Sequence, residues 1–172
     1  MFKILLLIFF CFNTIFASGG CKIESDIIVS ILGVEGHPKR RLGYEYLICF
    51  NNENDARAIK KILPELFLDS RTIDCKNASV CQALTEKLLN IGITNVDLGS
   101  FQLNLKWHRY PVDTYFDFSK SYKIACRYLE DMIAKYGYNW YAIASYNSQT
   151  PEHNYKYQKI LREKYSKYSQ IK

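Results

Sequence analysis

The sequence predicts a single, mainly helical domain of the α+β class with one small β element. Six segments carry apolar residues at helical spacing and are bounded by cap or breaker residues. Residues 44–50 are instead rich in aromatic and β-favouring residues and end in the turn-like pair Asn51-Asn52. No internal repeat, long linker or low-complexity tract divides the chain, and its 172 residues suffice for one domain with a substantial core.

Residues 1–17 have the organisation of a secretory signal peptide. Lys3 supplies positive charge, residues 4–12 form an apolar run, and Ala17 is a small residue at a suitable cleavage point. The run is too short to cross a bilayer comfortably, so we expect no stable membrane span after cleavage. The sequence therefore predicts export, to the periplasm or cell envelope, of a mature domain comprising residues 18–172.

Five cysteines remain after cleavage, namely Cys21, Cys49, Cys75, Cys81 and Cys126. In an oxidising compartment they should pair and leave one free, and we expect a bridge between Cys75 and Cys81, the closest two. Cys21 invites a lipoprotein interpretation, but Ser18 stands where the lipidation signal usually has Leu. The cysteines and the three scattered histidines lack metal-site spacing, so we expect neither a metal nor a cofactor.

The composition favours an anionic, sugar-rich partner. The formal net charge is +6, and it falls to +5 when the single lysine of the signal peptide is removed. A modest basic excess suits cell-wall glycan with its acidic peptides, whereas export argues against nucleic acid. Positive charges cluster only at residues 39–41 and in the C-terminal tail. The fourteen tyrosines could stack on sugars, although tyrosine also fills small cores.

Residues 27–36 contain the most informative helix. Ile28, Ile31 and Leu32 lie seven, four and three positions before Glu35, which puts all four side chains on one face. Glu35 therefore belongs to the buried stripe, and it sits in the last turn, where the helix dipole disfavours negative charge. Both effects raise the pKa of the carboxyl group, as a general acid requires. The commoner alternative for such a stretch is a frayed helix end with Glu35 in solvent.

Two helices follow the predicted strand. The first is capped by Asn52 or Asn54 and ends at Pro64, and the second is capped by Ser79 and closed by Gly92. Their apolar faces are Ala56, Ile59 and Leu63 in the first helix and Val80, Ala83, Leu84 and Leu88 in the second.

Three further helices occupy the C-terminal third of the chain. One runs from Ser121 to a stop at Gly137, and Asn139 caps the next, over residues 140–147. Thr150 caps a terminal helix that has a proline in its first turn. Its last dozen residues are mostly Lys, Tyr, Ser and Gln, and we expect them to fray into solvent.

Residues 94–104 form a turn followed by alternating apolar and polar residues, and Gly99 allows close approach of backbone or ligand. If the segment is extended, Gln102 and Asn104 lie on the same side; if it is a helical turn, Ser100 and Asn104 do. In either case amides and a hydroxyl cluster near an acid, which suits the hydroxyl and acetamido groups of sugars. The alternative is an ordinary loop with polar decoration.

The order of three segments is the decisive feature. They are the apolar helix ending in Val34-Glu35, then Asn95-Val96-Asp97-Leu98-Gly99-Ser100-Phe101-Gln102-Leu103-Asn104, then Trp140-Tyr141-Ala142-Ile143-Ala144-Ser145-Tyr146-Asn147. This order resembles the lytic transglycosylases of the soluble (SLT) type, especially the small exported members that accompany secretion and conjugation systems, and more distantly the lysozymes. The resemblance covers residues 25–162, and three modest motifs in this order are together specific.

The resemblance implies a lysozyme-like fold whose groove holds β-1,4-linked N-acetylmuramic acid and N-acetylglucosamine. Gln102 and Asn104 match the polar pair of the family's Gly-x-x-Gln-Ile-Asn segment, and Tyr146 and Asn147 match a Tyr-Asn pair that orients the acid and the sugar. We add Ser100 as a substrate-binding candidate because of its hydroxyl group. The implied partners are peptidoglycan glycan strands and, beyond them, a secretion or conjugation machine.

The sequence departs from the family pattern at two places. The stretch between Glu35 and Asn95 is longer than in compact members, so it contains an insertion. After the Tyr-Asn pair, Ser148-Gln149 stands where the family often has a small residue such as Gly.

The family mechanism implies one catalytic carboxyl group, that of Glu35. Protonated Glu35 donates to the glycosidic oxygen, the substrate's own acetamido oxygen meets the positive charge, and ionised Glu35 then takes the proton of the 6-hydroxyl. This closes a 1,6-anhydro ring. If Asp97 faces the cleft, lysozyme-type hydrolysis with two carboxylates becomes an alternative. We expect Asp97 instead to cap the backbone around Gly99. A non-catalytic peptidoglycan-binding or assembly protein is a third alternative.

The two tryptophans, Trp107 and Trp140, are candidates for sugar platforms, although tryptophan at helical spacing more often belongs to the core. Of the two, Trp140 is the stronger candidate. We expect His108 to be a surface or loop residue.

Overall fold

A computed structural model describes residues 20–170, so the predicted signal peptide lies outside the described residues. The elements in chain order are α1 (Ser25–Glu35), β1 (Leu47–Phe50), α2 (Glu53–Ile62), β2 (Thr72–Asp74), α3 (Ala78–Asn90), β3 (Val96–Leu98), β4 (Leu103–Asn104), α4 (Phe118–Tyr136), α5 (Trp140–Ala144) and α6 (Pro151–Ser169). Short 3₁₀ helices occupy Pro64–Leu66 and Val112–Phe116. The predicted class, α+β and mainly α, is confirmed.

The β element is an antiparallel sheet of four short strands in the order β2-β1-β3-β4. The strand predicted at 44–50 is β1, one of the two inner strands of the sheet, although only Leu47–Phe50 is strand. The segment 94–104 supplies β3 and β4 as a hairpin, so it is extended at 96–98 and 103–104, while residues 99–102 form the turn between the two strands. Its register sets Asp97 between Cys49 on β1 and Asn104 on β4.

Three helix ends differ from the predicted ones. Asn77, not Ser79, caps α3, because its side-chain oxygen accepts the Val80 N–H at 3.0 Å. Asp117 caps α4 by accepting the Lys120 N–H at 2.9 Å, so this helix starts at Phe118 and not at Ser121. The helix α5 ends at Ala144 and not at residue 147. The caps predicted at Asn52 and Asn139 are confirmed by hydrogen bonds to the first turns of α2 and α5.

The terminal helix α6 does not fray, which contradicts the expectation. It continues to Ser169 and packs along α1. Its tail is held by aromatic side chains, since the Tyr165 ring lies edge-on to Trp140 at 5.4 Å between centroids. A Cβ at Gly33 would approach the hydroxyl oxygen of Tyr168 to 2.8 Å, so the glycine in α1 permits this close contact.

Two disulfides join parts of the described chain. Cys75–Cys81 is the predicted bridge, and Cys21–Cys126 ties residue 21 to α4 across 105 positions. Within residues 20–170, Cys49 is the cysteine left unpaired. The helices of this part of the chain include none with the length and apolar character that crossing a membrane requires.

The stretch between Glu35 and Asn95, which the resemblance predicts to contain an insertion, is an ordered part of the domain that contributes β1, α2, β2 and α3. Residues 37–44 form a basic loop in this stretch, and Asp74, a carboxylate with no exposed surface, holds it in place. Asp74 accepts hydrogen bonds from the guanidinium of Arg40, from Tyr44 Oη at 2.8 Å, and from both the backbone N–H and the ammonium of Lys76. Burial alone would raise the pKa of Asp74, but these bonds outweigh it and lower the pKa to about 2.

Candidate active site

A polar cavity of about 590 Å³ lies where the end of α1, the β3–β4 hairpin, α4 and the α5–α6 connection meet. Six of the seven predicted site residues line it, namely Glu35, Asp97, Gln102, Asn104, Tyr146 and Asn147. The cavity is completed by Asn51, Asn95, Leu103, Trp107, His108, Tyr128, Ser148 and His153. Residues separated by up to 118 positions therefore share one site.

Ser100, the seventh predicted residue, does not line the cavity. It is 2% exposed, and its hydroxyl donates to the carbonyl oxygen of Gly43 at 2.9 Å. This bond fastens the basic loop to the turn between β3 and β4. Ser100 is thus a structural residue, and its predicted contact with substrate is wrong for this arrangement.

Glu35 is the last residue of α1, and its side chain is partly buried at the edge of the cavity. The helix closes in regular fashion with a Gly36 N–H to Leu32 O bond of 3.0 Å, so the frayed alternative is wrong. Tyr157 Oη donates to Glu35 Oε1 at 2.5 Å. Among the ion pairs of residues 20–170, none includes Glu35.

The pKa of Glu35 is raised from an ordinary 4.5 to about 7. Burial is the main cause, the hydrogen bond from Tyr157 opposes it, and the negative charge of Asp97 adds a smaller upward contribution. This confirms the predicted direction. The carboxyl group is therefore divided between acid and carboxylate near neutral pH, so it could both give and take a proton.

Tyr157 is the functional residue that the sequence reasoning missed most clearly. It lies on α6, where Asn154, Tyr157 and Leu161 form a buried stripe at helical spacing. That stripe is visible in the sequence, but its partner Glu35 is 122 positions away. Only the packing of α6 on α1 brings the two side chains together.

Asp97 faces the cavity, which contradicts the predicted inward cap of Gly99. Its neighbours Val96 and Leu98 point into the core, so strand alternation sends Asp97 to the opposite side. Its two oxygens accept hydrogen bonds from Asn51 Nδ2 at 2.8 Å and Asn104 Nδ2 at 2.7 Å. The pKa of Asp97 is raised, chiefly by burial, while both amide bonds act against the rise.

Gly99 turns the hairpin by a positive φ of 72°. A Cβ there would lie 1.9 Å from the carbonyl oxygen of Tyr115, which is the close backbone approach that the sequence predicted. Gln102 also has a positive φ, 45°, and its Nε2 donates to the Gly99 carbonyl at 2.7 Å. This hydrogen bond holds the amide of Gln102 at the cavity wall.

Tyr146 and Asn147 follow α5 and reach the cavity, but Tyr146 makes no direct hydrogen bond to Glu35 in the described contacts. Its hydroxyl donates instead to the Phe101 carbonyl at 2.6 Å, and burial raises its pKa far above the ordinary value. The position that binds the acid is taken by Tyr157. Ser148, which follows the Tyr-Asn pair, is held by Asn154, whose Nδ2 donates to the Ser148 carbonyl at 2.8 Å.

As candidates for a sugar platform, the two tryptophans are ranked by the structure in the reverse of the predicted order. Trp107 is 72% exposed and lines the cavity, whereas Trp140 packs against Tyr165 and does not line it. His108 is a loop residue, as predicted, and it is partly buried with its ring edge-on to Tyr128 at 4.8 Å between centroids. Burial lowers the pKa of His108, because it disfavours the charged imidazolium.

A second cavity, of about 520 Å³, lies between α2 and α3 in the insertion. Its lining is apolar apart from Ser79 and Lys87 and contains no carboxylate. Of these two cavities, the first is therefore the one lined by carboxyl groups. Within residues 20–170, the one group of three potential metal ligands is Cys21, Cys126 and Glu130, and its two sulfur atoms form a disulfide.

Neither family models nor curated proteins nor solved structures gave a significant match to this chain. The chemistry must therefore be argued from the cavity itself. That cavity combines one carboxyl group poised near neutrality, a second carboxylate held by two amides, and further amides and aromatic rings on its walls. This set can deliver a proton, stabilise positive charge and bind hydroxyl and acetamido groups.

Proposed function

We propose that this protein is an exported peptidoglycan lytic transglycosylase. It cleaves the β-1,4 bond between N-acetylmuramic acid and N-acetylglucosamine and leaves 1,6-anhydro ends. The observation that carries the proposal is the carboxyl group of Glu35, which borders a polar cavity that also contains Asp97, Gln102 and Asn104. The resemblance of the three ordered motifs to SLT-type enzymes supports it.

In the first step Glu35 acts as the acid. Its proton passes to the glycosidic oxygen while the bond from that oxygen to the anomeric carbon breaks. Tyr157 holds the carboxyl group in place through its 2.5 Å hydrogen bond. The substrate's own acetamido oxygen meets the positive charge that develops at the anomeric carbon, while the amides of Asn51 and Asn104 hold Asp97 at the cavity wall.

In the second step Glu35 acts as the base. It accepts the proton of the sugar's 6-hydroxyl while the 6-oxygen bonds to the anomeric carbon, so no water is consumed and Glu35 is protonated again. A pKa of about 7 suits both steps at neutral pH. The two disulfides are consistent with an oxidising compartment such as the periplasm.

Lysozyme-type hydrolysis is the second candidate, and the cavity-facing position of Asp97 favours it. Two carboxylates on one cleft are the common equipment of glycoside hydrolases. In that reaction a water molecule supplies the oxygen of the new reducing end.

Digestion of purified peptidoglycan in water enriched with heavy oxygen separates these candidates. A transglycosylase gives products one water lighter than reducing-end products, and they contain no heavy oxygen. Exclusive formation of reducing ends labelled with heavy oxygen would replace this proposal by hydrolysis. Binding to peptidoglycan without any product would instead identify a non-catalytic wall-binding protein.

A further inference from the structure

Trp107 is unusually placed for a tryptophan. Its side chain is 72% exposed, although such a large apolar surface is normally removed from water. It lines the same cavity as Glu35 and Asp97. We propose that Trp107 is a stacking platform for one pyranose ring of an N-acetylated glycan strand, at a subsite beyond the bond that is cleaved. This inference rests on the proposed function.

The backbone that carries the Trp107 indole is held by Asn104. The backbone carbonyl of Asn104 accepts the N–H groups of Trp107 at 3.2 Å and His108 at 2.8 Å, and its side-chain oxygen accepts the N–H of Lys106 at 3.0 Å. The amide nitrogen of Asn104 donates to Asp97. One residue therefore holds both the carboxylate of Asp97 and the backbone from which the indole of Trp107 projects, so little backbone freedom is lost when a sugar binds.

The chemistry of the indole faces suits a sugar. The Lys106 ammonium lies 4.9 Å from the Trp107 ring centroid and occupies one face as a cation–π pair. The large exposed area leaves ring surface for the apolar C–H face of a pyranose. Asn95 and Asn104 lie on the adjoining wall, where amides can bind acetamido groups.

The two tryptophans of the chain make the platform directly testable. Trp140→Phe leaves Trp107 as the sole indole, and Glu35→Gln in the same protein prevents cleavage of the probe. The probe is a peptide-free oligosaccharide of alternating N-acetylglucosamine and N-acetylmuramic acid, six sugars long. We expect the probe to change the Trp107 emission and to protect it from acrylamide quenching. The reverse protein, with Trp107→Phe and Trp140 as the sole indole, should give no such change.

Affinity for the same probe gives the second measurement. In the Glu35→Gln background, Trp107→Ala should weaken binding about tenfold, and Trp107→Tyr should restore most of it because a ring is retained. Tyr155, 70% exposed on α6 and outside the cavity, provides a matched control. Tyr155→Ala should leave the affinity unchanged.

The outcomes distinguish the platform from the proposed function. An unchanged Trp107 emission, or equal affinity of Trp107→Ala and its parent, overturns the platform even if the native protein cleaves peptidoglycan. A change in emission together with weaker binding by Trp107→Ala supports the platform even if no cleavage is detected, in which case only the proposed reaction fails. Binding that depends on salt and not on Trp107 would mean that charge, and not stacking, holds the sugar, and would also overturn the inference.

Discussion

Asp74 and Glu35 are two carboxyl groups withdrawn from bulk water in the same small domain, yet their acidities differ by several orders of magnitude. Asp74 has no exposed surface and a pKa lowered to about 2, whereas Glu35 is partly buried with a pKa raised to about 7. Burial raises the pKa in both cases. The difference comes from the charged and hydrogen-bonding groups that replace water around each carboxyl group.

Asp74 is surrounded by the cationic groups of Arg40 and Lys76 and by the Tyr44 hydroxyl, so its charge is fully compensated. Glu35 receives one hydrogen bond from a neutral tyrosine and faces a second carboxylate. A compensated carboxylate holds a fold together and cannot release a proton for chemistry. An uncompensated one costs stability but is ready for proton transfer, which the following variants test.

The largest effect is expected for Glu35→Gln, which preserves size and removes the proton donor. Cleavage of peptidoglycan should fall by about a thousandfold, as expected for loss of a general acid. Glu163→Gln, at an exposed position on α6, is the matched control and should retain full activity. Equal digestion of peptidoglycan by Glu35→Gln and its parent would remove Glu35 from the mechanism.

Asp74→Asn should cost stability and not chemistry. The change removes the buried charge and replaces one acceptor oxygen by an NH2 group that cannot accept from its donors, so the free energy of unfolding should fall by about 3 kcal/mol in urea denaturation. The exposed pair of Asp113 and Lys120 provides the control, because Asp113→Asn should not measurably change stability. A destabilisation no greater than that of the control would show that Asp74 is not the anchor of the insertion.

The two carboxyl groups should also give opposite dependences of stability on pH. Unfolded Glu35 loses its proton near 4.5 and folded Glu35 near 7, so the folded state binds more protons between these values and stability falls as pH rises through this window. With allowance for partial exposure the loss is about 2 kcal/mol. Glu35→Gln should lack this loss. Asp74 should act in reverse, with stability lost as pH falls from 3.8 towards about 2.

The smallest of these effects is expected for Tyr157→Phe. The Tyr157 hydroxyl stabilises the ionised form of Glu35, so its removal should raise the pKa of Glu35 further. The alkaline limb of the activity profile should move to higher pH, and kcat should fall about tenfold because the acid is less well positioned. Tyr136→Phe removes a hydroxyl bonded to Gln149 outside the cavity and should leave the profile unmoved. If the alkaline limb of the activity profile does not move in Tyr157→Phe, then Tyr157 does not influence the pKa of Glu35.

The sequence predicted the parts of this site that depend on local periodicity. Helical spacing alone put Glu35 on the buried face of α1, and the ordered motifs brought Gln102 and Tyr146 to the same cavity. The alternation Val96-Asp97-Leu98 also predicts that Asp97 points away from the core, but the turn at Gly99 that follows favours an inward cap by the same side chain. Strand pairing with β1 decided the matter, because it fixes which side of the sheet is core.

The remaining features depend on contacts between distant segments. Tyr157 reaches Glu35 only because α6 packs on α1, and that packing also keeps the tail of α6 helical. The helical spacing of Trp140 suits either a core residue or a platform, and in the structure it is partly buried and packs against the core beside Tyr165. Asn77 and Ser79 are both good cap residues, so only the geometry of the turn distinguishes them.

The Cys21–Cys126 bridge bears on the lipoprotein interpretation that Cys21 invites. A sulfur atom bonded to Cys126 cannot also form the thioether link to a diacylglycerol that attaches bacterial lipoproteins to their bilayer. Oxidative folding and acylation thus require the same atom of Cys21. A molecule that has closed this bridge is therefore not a lipoprotein attached through Cys21.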